Sequence, residues 1–210
     1  RGDWQILWWL FPFVPSRAGV RRNRLPLVAR WKIFDNLRRS LVPPATLLLI
    51  VLGWIVLPGH PVVWTAVGLA ALAFPGLAIT LRVPRGPRRE QSWGVFLRTT
   101  AEELKTAAAR FGLQLAFMAN EATERLHAIA VTLVRLVVTR RRLLEWETMA
   151  AHAARGGAVQ LRVFVRSMKA SPLLAVATGA VVAAVRPAAL PVAAPILCVW
   201  AAAPWIAYAL

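Results

Sequence analysis

Hydroxyl groups aside, three histidines, three lysines, one cysteine and nine acidic residues are the main groups this chain offers for proton transfer, metal ligation or nucleophilic attack. Glu124 and His127 stand at the i, i+3 spacing used in di-iron helical bundles. Such a site needs a second pair of that kind and two further glutamates, so a surface polar pair is the expectation. His60 and His152 are remote from His127, with no metal-ligand spacing joining them, and no metal site is expected. Cys198 lies alone in an apolar stretch, which excludes an intrachain disulfide and a cysteine-cluster metal site and leaves it a packing role. No Gly-rich phosphate loop, serine triad or isolated acidic pair with a credible partner is present. The segment is therefore expected to hold no catalytic residue and no cofactor. Arg1-Gly2-Asp3 spells an adhesion tripeptide, read here as coincidence because a cytoplasmic placement beside a membrane would hide it. Arg140, Arg141 and Arg142 would attract anionic lipid by about 1 kcal/mol each near a bilayer, although setting topology is the simpler account.

The elements that must carry these residues follow from how charge is distributed. Of the 210 residues 58% are hydrophobic and only 17% charged, well beyond the balance of a soluble domain. A net charge of +17 would point to nucleic acid if it formed one solvated patch. Instead nine of the 26 Lys and Arg lie in residues 1–40, sixteen in 82–170, and one is Arg186. Between them four runs, Leu41–Leu57, Val62–Leu81, Ser171–Val185 and Pro187–Leu210, contain no Asp, Glu, Lys or Arg. A bilayer core of about 30 Å takes roughly 20 helical residues, and Leu- and Ala-rich runs without alternation select helices over a barrel. Ser171–Val185 is short by that measure, and either tilts little or extends past Arg186. The link Pro58–Pro61 carries no Lys or Arg, so the positive-inside rule turns it away from the cytoplasm and leaves both ends of the segment cytoplasmic. The spans contain no Asp, Glu, Lys, Arg or His, which argues against an independent transporter. Ala175, Gly179 and Ala183 form a small-residue stripe that permits close helix approach, an alanine-rich helix with no special partner being the alternative.

The sequence thus predicts an all-α, polytopic membrane segment with about four transmembrane helices plus interfacial and cytoplasmic amphipathic helices. Residues 1–40 form an interfacial region, 41–81 a transmembrane hairpin, 82–170 a cytoplasmic or interfacial helical linker, and 171–210 a second hairpin. Arg30–Ser40 reads as an amphipathic surface helix, with Ile33, Phe34, Leu37 and Leu41 opposite Lys32, Asp35, Arg38 and Arg39. Upstream, Trp8, Trp9, Phe11 and Phe13 precede Arg17, Arg21, Arg22 and Arg24, a mixture suited to the headgroup region, while Pro12 and Pro15 discourage a continuous helix. Within the linker, Leu126, Ile129, Leu133, Leu136 and Val137 recur at helical spacing. A break is expected near Gly112 or Asn120, and another at Gly156 and Gly157. Arg1 at one end and the apolar Leu210 at the other suggest a piece of a longer polypeptide, with no secretory leader.

Three stretches resemble the membrane region of bacterial cyclic β-1,2-glucan synthases: Arg1-Gly2-Asp3-Trp4-Gln5, the run from Arg30-Trp31-Lys32 through Asp35-Asn36-Leu37-Arg38-Arg39-Ser40-Leu41, and Arg140-Arg141-Arg142-Leu143-Leu144-Glu145-Trp146. Where that family carries Leu-Pro-His-Gln, this chain has Met118-Ala119-Asn120-Glu121. The resemblance implies a large bacterial inner-membrane enzyme with a cytoplasmic transferase that uses UDP-glucose and a C-terminal domain similar to glycoside phosphorylases. This segment would lie between them, with residues 1–40 taking in the trailing edge of the transferase. By the same resemblance Trp4 would stack on the acceptor glucan, with Arg1, Asp3 and Gln5 supplying polar contacts, while catalytic groups lie elsewhere; an interfacial tryptophan anchor is the alternative for Trp4. The implied partners are the lipid bilayer, the flanking domains and the glucan, not nucleic acid. A non-enzymatic membrane anchor that binds lipid or a protein is the alternative.

Overall fold

The fold is that of a computed structural model, which describes residues 2–16, 19–87, 90–139 and 161–210. Among the described residues the regular structure is helical, in keeping with the composition, apart from one antiparallel hairpin of β1 (Phe13–Ser16) and β2 (Gly19–Arg22). The helices are α1 (Gly2–Gln5), α2 (Leu27–Ile55), α3 (Pro61–Thr80), α4 (Trp93–Val134), α5 (Leu161–Ser167), α6 (Ala170–Val185) and α7 (Leu190–Ala209). Among the described residues three helices are long and apolar enough to cross a membrane, Leu27–Ile55, Pro61–Arg85 and Pro187–Ala209. Leu161–Ser167 and Ala170–Val185, bent by 55°, make a fourth when counted as one span. By contact the chain divides into two units, Arg1–Ala45 with Glu121–Gln160, and Thr46–Asn120 with Leu161–Leu210.

In the first unit, the predicted surface helix Arg30–Ser40 is not a separate element. It is the opening of α2, which continues through Pro43 and Pro44 into the first apolar run. Proline lacks an amide, so Pro43 cannot bond the carbonyl four residues back, that of Arg39. Arg125 on α4 donates from Nη1 to that oxygen at 3.2 Å, the kind of side-chain replacement that lets a membrane helix tolerate proline. Glu121, one turn before Arg125, forms an ion pair with it. The β-hairpin was not expected. It arises because Pro12 and Pro15 block helix and hold the residues before them extended, while Gly19 leaves the turn at φ +100°.

The linker differs from expectation more sharply. No break occurs at Gly112 or Asn120, and α4 runs unbroken for 42 residues, roughly 60 Å at 1.5 Å per residue. A single glycine costs a helix only about 1 kcal/mol relative to alanine, and no proline lies between Pro87 and Pro172 to stop it. Its start is capped by Ser92, whose hydroxyl oxygen accepts from the Val95 amide at 3.4 Å, and it passes into a π-helical turn, Arg135–Thr139. Arg140–Arg142 and Gly156–Gly157 lie outside the described residues.

In the second unit, α2 and α3 approach closely at glycines. A Cβ on Gly68 would fall 2.5 Å from Cγ1 of Ile50, and one on Gly53 2.3 Å from Cβ of Trp64. Beside them the buried Trp54 indole donates to Thr65 Oγ1 at 2.8 Å and meets Trp200 with ring centroids 5.9 Å apart. Trp200 in turn donates from Nε1 to the Leu115 carbonyl at 3.0 Å, tying α7 to α4. The seam of α6 runs through Ser171, Ala175, Thr178 and Val182 rather than the stripe Ala175, Gly179, Ala183, since Ala183 is exposed. Helix α6 ends at Val185 and does not extend past Arg186. Cys198 is exposed, so it packs against no core, contrary to expectation. Ser171 Oγ donates to the Trp200 carbonyl at 2.8 Å, an oxygen left without its helical donor by Pro204. Arg186 reaches from the α6–α7 link to the α2–α3 link, donating to the carbonyls of Leu57 at 3.1 Å and Gly59 at 2.6 Å. The two hairpin links therefore share one end of this unit.

Candidate functional site

The residues singled out by resemblance lie in the first unit, on α1, a single helical turn. A four-residue helix has no independent stability, so tertiary contacts must hold it. They come from α2. Trp4 donates from Nε1 to Ser40 Oγ at 2.9 Å, and Asn36 donates from Nδ2 to Asp3 Oδ1 at 3.2 Å. Asn36 and Ser40 are four residues apart, one turn of α2, so a two-point clamp meets two consecutive side chains of α1.

Both receptors are themselves held. Ser40 donates its hydroxyl proton to the Leu37 carbonyl at 2.7 Å, which turns its lone pairs toward the Trp4 indole. Asn36 Oδ1 accepts from Arg39 Nη2 at 2.6 Å, which fixes its amide with Nδ2 toward Asp3. Arg38 and Arg39 also bracket Asp35, at 2.8 and 3.1 Å. Leu37, between the two clamping residues, is buried.

Trp4, Asp3 and Gln5 are each half-buried, and Arg1 lies outside the described residues. With its N–H engaged, the half-buried Trp4 indole is held in one orientation. Asp3 is left with acceptor capacity on a carboxylate whose other oxygen is already positioned. Among the described residues the arrangement presents an indole, a carboxylate and amide groups, with no nucleophile paired with a base.

Sequence reasoning missed Asn36 and Ser40. They fall between the polar and apolar faces assigned to Arg30–Ser40, and their signal was the i, i+4 pairing of two hydrogen-bonding residues inside the most distinctive of the three stretches. The structure brings the first two stretches together. The third, Arg140–Trp146, lies outside the described residues. The other candidates are scattered. Glu124 and His127 are exposed on α4, and His60 caps α3 by accepting from the Val62 amide at 3.3 Å. His152 lies outside the described residues.

No family model matches the chain. It is 34% identical, over 213 aligned residues and 99% of its length, to the cyclic beta-(1,2)-glucan synthase NdvB of Rhizobium meliloti (strain 1021). The chain spans 7% of that relative. The resemblance seen in three short stretches thus extends over nearly the whole segment.

Proposed function

We propose that this chain is the membrane module of a cyclic β-1,2-glucan synthase, joining a UDP-glucose-dependent glucosyltransferase to the bacterial inner membrane and contributing to the acceptor-glucan site through Trp4. The observation that carries the reading is the clamp of Asp3 and Trp4 by Asn36 and Ser40, because it couples the α1 turn to the first membrane helix. In the parent enzyme the transferase would move glucose from UDP-glucose to the 2-hydroxyl of a growing glucan. Trp4 would stack on the acceptor ring, and Arg1, Asp3 and Gln5 would bond its hydroxyls. The catalytic groups, the nucleotide-sugar ligands and the phosphorylase-like domain would belong to other parts of the polypeptide. Both ends of the segment are assigned to the cytoplasm, supported by the charge asymmetry and by the common end of the two hairpin links.

The test is incorporation of labelled glucose from UDP-glucose by membranes carrying the intact parent protein, with Trp4→Ala compared at equal protein level. Loss of glucan with unchanged membrane insertion is the expected result. Unchanged synthesis would reduce Trp4 to an anchor. Absence of synthesis by the unaltered protein would overturn the assignment in favour of a non-enzymatic anchor.

A further inference from the structure

The β-hairpin, the turn before it and the start of α2 carry a cationic and an apolar cavity that meet in sequence at consecutive residues, Trp9 and Leu10. Arg21, Arg22 and Arg24, with Trp9, Val14 and Pro15, line an open cavity of about 670 Å³. No Asp or Glu occurs between Trp4 and Phe34, and none of these three arginines forms an ion pair with a described carboxylate. Their charges are therefore left for an external anion, and a guanidinium fork suits phosphate oxygens. A second open cavity, of about 630 Å³, is lined by Leu10, Leu27, Val28, Trp31 and Phe34, with Arg30 at its edge. Its lining is almost wholly apolar. Trp9 lines the first cavity and Leu10, the next residue, lines the second.

The scaffold is preorganised. Asn23 donates from Nδ2 to the carbonyls of Trp9 at 2.6 Å and Phe11 at 2.9 Å, and its backbone amide donates to the Pro12 carbonyl at 2.7 Å. Its Oδ1 accepts from the Leu25 amide at 2.9 Å. Arg30 on α2 donates from Nε to the Leu10 carbonyl at 3.0 Å, and from Nη2 to the same oxygen. The hairpin and the turn are thus fastened to the start of the first membrane helix.

We infer that these two cavities, linked through Trp9 and Leu10, form a binding site for one anionic phospholipid, with the headgroup phosphate on Arg21, Arg22 and Arg24 and an acyl chain against Leu27, Val28, Trp31 and Phe34. A soluble diphosphate such as UDP would use the arginines and leave the apolar cavity exposed, so the paired surfaces favour the lipid. The inference uses only the membrane placement of the proposed function and none of its sugar chemistry.

The test is native mass spectrometry of the intact parent protein in detergent, equilibrated with equimolar phosphatidylglycerol and phosphatidylcholine, counting the lipids retained. The unaltered protein should retain phosphatidylglycerol over phosphatidylcholine by roughly tenfold or more, since each basic group near the bilayer favours anionic lipid about fivefold. Arg21→Gln/Arg22→Gln/Arg24→Gln should bring the ratio near parity, and Arg24→Gln alone should lower it about threefold or more, a milder change should the triple variant misfold. Arg162→Gln/Arg166→Gln, at a basic pair in the other unit and far along the sequence, should leave it unchanged. An undiminished ratio in both hairpin variants would overturn the proposal. So would near-parity in the unaltered protein together with retention of UDP that the hairpin variants lose, which would assign the arginines to a soluble phosphate. Lipid retention is read without glucan synthesis, so an inactive parent enzyme would fail the proposed function and leave this result standing.

Discussion

Ser171 and Pro204 should behave as one unit. Pro204 has no amide to give the Trp200 carbonyl, and Ser171 supplies the missing donor across the α6–α7 pair at 2.8 Å. Both Ser171 and Trp200 are 0% exposed, so no solvent is at hand to replace the hydroxyl. Ser171→Ala should therefore cost about 1–2 kcal/mol, within the range for an unsatisfied buried acceptor. In a Pro204→Ala background the new amide at position 204 can close an ordinary helical bond on Trp200, and removing Ser171 should cost only a few tenths of a kcal/mol. The double-mutant coupling is then about 1–2 kcal/mol. Hydrogen exchange of residues 190–209 in the intact protein reads it directly, as roughly five- to thirtyfold faster local exchange for Ser171→Ala when Pro204 is retained and little change when Pro204→Ala is also present. Equal acceleration in both backgrounds would refute the argument that the serine serves the proline-freed carbonyl.

The same reasoning sets the remaining expectations. Ser40→Ala should release Trp4 Nε1 at a cost of about 1 kcal/mol, moderated by partial exposure, and speed exchange of residues 2–10 about fivefold; in a Trp4→Phe background, with no N–H to orphan, the effect should vanish. Arg186→Met removes two bonds from a charged donor to the carbonyls of Leu57 and Gly59 and should loosen the α2–α3 link by about 1–2 kcal/mol, seen as faster proteolysis there. Gly68→Val should cost about 1–3 kcal/mol by overpacking against Ile50, lowering the detergent melting temperature, with Ile50→Ala restoring part of the loss.

What the sequence determined by itself was whatever depends on solvent preference and summed composition. The apolar runs free of Asp, Glu, Lys and Arg, the helical class and the segregation of basic residues are readable because a bilayer acts on each residue of a run in the same sense. The resemblance to a glucan synthase was legible for a different reason, that charged and aromatic residues in a fixed order beside a membrane span are unusual. Reading by local breakers failed on α4, where Gly112 and Asn120 were too weak to end a helix with no proline in it. The small-residue stripe held at Ala175 and Gly179 and departed from the seam at Ala183, because which face of α6 is buried depends on where α7 lies. Only the tertiary structure decided that Arg125 serves the carbonyl freed by Pro43, that Ser171 serves the one freed by Pro204, and that Asn36 and Ser40 hold Asp3 and Trp4. Each of these is a hydrogen bond between residues 29 to 86 positions apart. A polar group's partner is set by the path of the chain in space, and no local pattern of residues encodes it.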